Sequence, residues 1–167
     1  MSWVAACTPG WVLAYSFAMP TKPTARQQAE RIEAELLNLP QAHFPVREYF
    51  APGIYAREIT IPAGHVLVGA VHKMANLAIL SKGRLALATD NGPIEISAPH
   101  ILTVSPGAKN TATALEDSVW TNFLPNPTNE TDTEKLVEMF TESKACELLG
   151  GSQNKQLLAN KLKELEA

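Results

Sequence analysis

Hydrophobic and polar positions change rhythm along the chain. Over residues 25–38, Ala29, Ile32 and Leu36, followed by Leu39, recur at helical spacing with charged residues between them, the pattern of an amphipathic helix. Thr24 stands where an N-cap belongs and Pro40 where the helix must have ended. From His43 to Leu124 the texture becomes short runs of Val, Ile, Leu and Thr. They are cut by Pro52-Gly53, Pro62-Ala63-Gly64, Lys82-Gly83, Asp90-Asn91-Gly92, Ala98-Pro99 and Pro106-Gly107. Many short strands separated by turns predict an all-β sandwich or barrel. Alternation in Ile59/Ile61, Leu85/Leu87 and Ile94/Ile96 supports it, and Asn91-Gly92 offers the positive φ angles of a tight hairpin. The reading is mainly β, with helices flanking an antiparallel barrel.

Past Pro125 and Pro127 the β texture stops. Asp132 or Thr133 can cap a helix carrying Leu136, Met139, Phe140 and Cys146 on one side, closed by Gly150-Gly151. Residues 152–167 place Leu158, Leu162 and Leu165 at coiled-coil-like spacing. The segment is too short to be stable alone, so it packs on its own chain or on a partner helix. At the other end, Trp3 and Trp11 lie in an apolar stretch that no Lys or Arg precedes and that Pro9-Gly10 interrupts. That pattern suits neither a signal peptide nor a membrane span. It predicts an arm docked on the barrel or on a neighbouring subunit, since apolar arms seldom stay exposed. The chain thus divides into an arm and helix (1–42), a β unit (43–125) and a helical tail (126–167).

Composition narrows the functional classes. With 167 residues, 46% hydrophobic and 19% charged, the chain has the makings of one packed domain. A formal charge of −3 without a basic cluster argues against nucleic-acid binding. Cys7 and Cys146, far apart, imply no disulfide framework. There is no Gly-x-Ser-x-Gly elbow and no glycine-rich phosphate loop. Of the carboxylates Glu58, Glu95, Glu116 and Asp117, only Glu58 falls in a strand that could aim it inward. There it would have to be paired or protonated. Arg57 precedes it, so one of the two faces in and the other out.

The stretch from Gly64 to Gly83 resembles the first motif of the cupin superfamily, G-x5-H-x-H-x3-4-E-x6-G. On that spacing Ala70, His72 and Asn76 occupy the ligand positions, with the glycines at the ends of a hairpin. The second motif aligns Gly107 with its central glycine and Asn110 with its histidine, while Pro106 is one place off. Imidazole and carboxylate donors at about 2.0–2.2 Å make such metal sites. Here His72 alone remains of the set, so no cofactor is expected, with a divalent metal at His72 the alternative.

A sharper resemblance is to cupin-like proteins of tailed bacteriophages. It rests on Tyr49-Phe50-Ala51-Pro52-Gly53, Tyr55-Ala56-Arg57-Glu58-Ile59, Ile61-Pro62-Ala63-Gly64, Val71-His72-Lys73, Ser105-Pro106-Gly107-Ala108-Lys109 and Glu116-Asp117-Ser118-Val119-Trp120-Thr121. Relatives of this type often carry a histidine after the Trp-Thr strand, where this chain has Asn122, Phe123 and Leu124. The resemblance implies a viral protein of the host cytoplasm or the virion. Joined to the missing ligands, it gives a first reading: a non-enzymatic interaction or structural module, without membrane insertion. It would assemble with copies of itself or with other phage proteins through Trp3, Trp11, Leu158, Leu162 and Leu165. The alternative is a small-molecule-binding or catalytic cupin whose cavity uses His72, Asn76, Asn110 and Glu58. A cavity mouth opening on His72 favours the alternative, and a barrel plugged by Met74, Leu77 and Trp120 favours the first.

Overall fold

The structure, a computed structural model, describes residues 22–143; Trp3, Trp11, the two cysteines and the three C-terminal leucines lie outside them. Helix α1 spans Ala25–Leu36. Nine strands follow: β1 (Val46–Ala51), β2 (Gly53–Ile61), β3 (Val66–Val68), β4 (Asn76–Lys82), β5 (Arg84–Thr89), β6 (Gly92–Ser97), β7 (His100–Val104), β8 (Thr111–Ala114) and β9 (Ser118–Asn126). Helix α2 is Thr133–Phe140. Among the described residues no helix is long and apolar enough to cross a membrane.

The strands form two antiparallel sheets, ordered β1-β2-β9-β4-β7 and β3-β8-β5-β6. From β2 to β9 the chain shuttles between the sheets, switching at every connection except the β5–β6 hairpin. That order makes an eight-stranded double-stranded β-helix, the jelly-roll architecture found in cupins, with β1 added at one edge. The ladders do not join into a closed barrel. The motif glycines consequently do not bracket a hairpin. Gly64 turns the chain between β2 and β3 and Gly83 between β4 and β5, and β3 and β4 belong to different sheets.

Alternation decides what faces inward. In β4, Ala78 and Leu80 are fully buried while Leu77 faces solvent. With Ile61 and Trp120 they meet Leu85, Leu87, Ile96, Ala112 and Ala114 of the opposing sheet in the main core. A second cluster, Tyr55, Leu124, Leu136 and Phe140 with Met74 against it, packs α2 onto the sandwich, and the Tyr55 and Phe140 rings stack at 6.1 Å. Leu77, expected as a plug, is therefore on the outside, and Met74 belongs to this second cluster.

Both helices begin where capping chemistry places them and end earlier than their apolar periodicity suggests. Thr24 and Gln27 form a reciprocal capping box, and the Asp90 carboxylate accepts the Ala25 N–H. Lys109, whose side chain is only 8% exposed, reaches Glu33 at 2.7 Å and ties α1 to the β7–β8 loop. Gln41 Nε2 donates to the Leu36 and Leu39 carbonyls at 2.6 and 2.8 Å. These bonds satisfy oxygens that a longer helix would have used, so Leu39 stays exposed outside α1. Asp132 caps α2 by accepting from Glu134 and Lys135 N–H groups. The helix stops at Phe140 rather than near Gly150, because Thr141 adopts an extended backbone and bridges to His72. Val137, not Met139, joins its buried face.

In the β5–β6 hairpin, Asn91 does not take a positive φ; Gly92 alone does, at 110°. The Thr89 hydroxyl donates to Gly92 O at 2.6 Å and accepts from Asn91 N–H, holding the turn without a left-handed Asn. Gly83 is the more constrained position. Its φ is +84°, and a Cβ there would lie 2.5 Å from Asp117 O and 2.8 Å from Ser118 Cα. Gly64, at φ +80°, has open space around it. Gly83→Ala should therefore lower unfolding free energy by at least about 2 kcal/mol, and Gly64→Ala by only about 1 kcal/mol. Urea denaturation of both variants reads the difference; equal losses would show that backbone crowding at Gly83 is unimportant.

Candidate functional site

The connection from β3 to β4 carries His72 and is held from two sides. His72 N–H donates to Ala108 O at 3.1 Å and Gly107 N–H donates to His72 O at 2.7 Å. Lys73 N–H donates to Phe140 O, and Glu142 N–H to Val71 O. His72 thus sits where the β7–β8 loop, the β3–β4 connection and the end of α2 meet, not on a strand as the motif spacing implies.

Its imidazole lines a cavity of about 180 Å³ between the sheets, partly open to solvent. The wall is mostly apolar, with Ile59, Ile61, Leu67, Leu85, Leu87 and Trp120, and its polar contributors are Arg57, His72, Asn110, Asn122 and Thr141. Ala70 contributes only a methyl group. Arg57 is paired with Glu48 at 3.2 Å, and Glu48 also accepts from the Tyr55 hydroxyl at 2.9 Å. Burial, partly offset by Arg57, pushes that phenol up to about 12.

Behind the imidazole runs a line of side-chain hydrogen bonds. Trp120 Nε1–H donates to Asn122 Oδ1 at 2.8 Å, Asn122 Nδ2 donates to Asn76 Oδ1 at 2.8 Å, and Asn76 Nδ2 lies 3.1 Å from His72 Nδ1. Buried amides and imidazoles need such partners, because an unmatched polar group inside costs about 1–3 kcal/mol. Asn76 is 5% exposed. It does not line the cavity but stands behind the group that does.

The structure therefore brings His72 and Asn110 to the cavity wall and puts Asn76 in contact with His72. Glu58 does not join them. Arg57, Ile59 and Ile61 face the cavity, so strand alternation sends Glu58 to the opposite face of β2. There it pairs with Arg47 at 3.8 Å and accepts from the Tyr49 hydroxyl at 3.3 Å. The other histidines do not converge either. His43 is exposed in the segment before β1, His100 opens β7, and His65, in the β2–β3 turn, packs edge-on against Phe44 at 5.6 Å.

These residues do not fit a cupin-type metal centre. Metal-binding histidines usually donate their second N–H to a carboxylate or carbonyl, leaving the ligating nitrogen unprotonated; Asn76 instead presents an N–H to His72. Among the described residues no group of three or more His, Cys, Asp or Glu side chains is placed to hold an ion. Trp120 and Asn122 matter more than the motif comparison implies. Their signal was the alternation Trp120, Asn122, Leu124, which sets all three on the inner face of one strand.

No family sequence model and no curated protein matches the chain. Solved structures with similar backbones include a cupin-2 domain protein from Shewanella frigidimarina, 14% identical, with a TM-score of 0.43 over 56% of this chain and 92% of that one. Another is KdgF from Halomonas sp., 14% identical, with a TM-score of 0.46 over 56% of this chain and 86% of that one. A third is an RmlC-like cupin with a double-stranded β-helix fold from Methanocaldococcus jannaschii, 16% identical, with a TM-score of 0.43 over 53% and 85% respectively.

Burial lowers the His72 pKa from its ordinary 6.5. Below pH 6.5 the unfolded chain takes up a proton that the folded chain resists until its own lower pKa is reached. Stability therefore falls with acidification across that window. Glu130 and Asp132, held down by backbone N–H groups, lose their contributions only at more acidic pH. In His72→Gln the Gln Oε1 can accept the Asn76 hydrogen bond, and the decline between about pH 7 and pH 5 should flatten. Urea midpoints measured across that range check this; an unchanged slope would assign the loss to other groups.

Proposed function

We propose that this domain binds a compact organic molecule between its two sheets, and binds it without a metal. The observation that carries the reading is the partly open cavity on which His72 and Asn110 converge. A cavity of about 150 Å³ holds a benzene-sized molecule, so 180 Å³ suits a ligand of roughly six to ten non-hydrogen atoms. An apolar wall with a few placed polar groups is how small-molecule sites combine affinity with orientation.

Binding is favoured over catalysis by what the wall lacks. Among the described residues that line it there is no carboxylate, thiol, serine or tyrosine. His72 would have to act alone, without the second titratable group that acid–base chemistry ordinarily needs.

A second reading is supported by the outer face of the five-stranded sheet. Tyr49, Ile54, Leu77 and Ile101 are 47, 48, 50 and 64% exposed there. Cross-strand pairing sets Leu77 beside Phe123, Phe123 beside Ala56 and Ala56 beside Tyr49, so the apolar side chains form a band. Such bands mark interaction surfaces. With the resemblance to phage-encoded proteins, this supports assembly with a second copy or with other phage proteins, in the host cytoplasm or the virion. The two readings use opposite faces of one sheet and are compatible.

Ala70→Phe should fill the mouth of the cavity. Binding of compact carboxylates, amides and cyclic alcohols, followed in ¹H–¹⁵N spectra at Gly69, Asn110 and Asn122, is expected to weaken at least tenfold in this variant while the urea midpoint stays close to that of the parent. Shifts that map elsewhere, or that survive the substitution, count against the cavity. For the second reading, sedimentation of the full chain should show a species larger than a monomer that Leu77→Lys/Ile101→Lys dissociates. A strict monomer before substitution would sink it.

A further inference from the structure

The hydrogen bonds behind His72 can run in only one direction. An indole Nε1–H donates and cannot accept, so the Asn122 atom facing Trp120 must be its oxygen. The Asn122 amide nitrogen then faces Asn76, whose oxygen must accept it. That turns the Asn76 nitrogen towards His72 Nδ1, and an NH₂ group can only donate. His72 Nδ1 is therefore an acceptor and carries no proton.

We infer that His72 is locked as the neutral imidazole protonated on Nε2, by a polarity imposed from Trp120, and that it offers the cavity a fixed N–H donor. Trp120, Asn122 and Asn76 are positioning residues, and His72 determines specificity. Reversing the tautomer requires both amides to rotate and leaves Asn122 pointing hydrogens at the indole N–H. The free end of the imidazole is reachable. Among the described residues the buried side-chain polar atom without a partner is Thr111 Oγ1, so Nε2, also unpartnered, is not sealed off. The Asn110 amide meets the same two criteria and lines the same cavity.

A protonated Nε2 has no lone pair for a metal. What it can hold is an oxygen acceptor, so the ligand class is a compact molecule with an apolar body and a carbonyl, carboxylate or hydroxyl oxygen directed at His72. This last step rests on the reading of the cavity as a binding site; the tautomer assignment does not.

The full chain carries its own reference. His65 Nδ1 lies 3.2 Å from both Pro62 O and Ala63 O, which only accept, so His65 must be protonated on Nδ1. Two-bond ¹H–¹⁵N correlation spectra of histidine-labelled protein near neutral pH, with His72 assigned through His72→Gln, should show opposite tautomers for His72 and His65. A His72 protonated on Nδ1, or averaging between forms, overturns the proposal. Asn76→Asp is nearly isosteric and still accepts from Asn122, but it sets an acceptor against His72 Nδ1 and should move a proton there. A variant with native near-UV circular dichroism that keeps Nδ1 bare overturns the role given to Asn76.

Zinc chloride added alone, to tenfold molar excess, should leave the parent His72 signals in place; their specific loss overturns the exclusion of metal. Benzamide should shift His72 and Asn110 signals and bind at least tenfold tighter than toluene. Equal binding of both overturns the donor role and leaves the cavity reading standing. If neither perturbs the cavity, the ligand class falls and the tautomer result still stands on its own.

Discussion

The pairing of β4 with β9 is the constraint on which the site depends. Its register sets Leu80 opposite Trp120 and Ala78 opposite Asn122. Asn76, two residues before Ala78 on the same face, is a diagonal neighbour of Asn122, within reach of a side-chain contact. A one-residue slip would send Asn76 and Asn122 to solvent and bring Leu77 and Phe123 inside. The same ladder that buries Leu80 and Trp120 in the main core thus also aligns the polar chain. Core and site cannot be specified separately.

Setting His72 and Asn122 on the wall of an apolar cavity, with Asn76 buried behind them, is a stability risk unless every partner is matched. Here the match extends from Trp120 to His72, and Ala78, fully buried and small, leaves room beside the amides. The arrangement contributes orientation more than net stability, since each such bond exchanges a water partner for a protein one. A chain with a definite direction gives the imidazole one tautomer, and one tautomer gives the cavity one polarity. The energetic return comes through specificity: a ligand group with the wrong polarity would leave the imidazole N–H desolvated and unmatched.

Much of the fold was legible because it rests on local chemistry. Thr24 and Asp132 cap helices with their own side chains, and alternation in β4, β5 and β9 separates core from surface residue by residue. What ended the helices was less visible. Gln41 folding back onto the Leu36 and Leu39 carbonyls, and Thr141 pairing with His72, are contacts that periodicity does not encode. The hairpin went the same way: Asn-Gly suggests two left-handed residues, but the Thr89 hydroxyl supports a turn that needs one. For the candidate site, motif spacing pointed to His72, Asn76 and Asn110, of which His72 and Asn110 line the cavity and Asn76 stands behind His72. It could not place Glu58, whose direction depends on the face of β2, nor rank Asn122, whose importance appears only when β9 is laid beside β4.

Reading the motif as a set of losses understates what stands in the ligand positions. A carboxylate at position 76 would accept from His72; the amide there donates to it, so the exchange reverses the hydrogen bond instead of deleting it. Asn122 is matched to that reversal because its own amide is oriented by the indole. No buried side-chain N or O atom in the line from Trp120 to His72 is orphaned; among the described residues the buried atom without a partner is Thr111 Oγ1, on β8. The satisfied network is what the proposed reading of the cavity, as a site for a ligand recognised by hydrogen bonds, rests on.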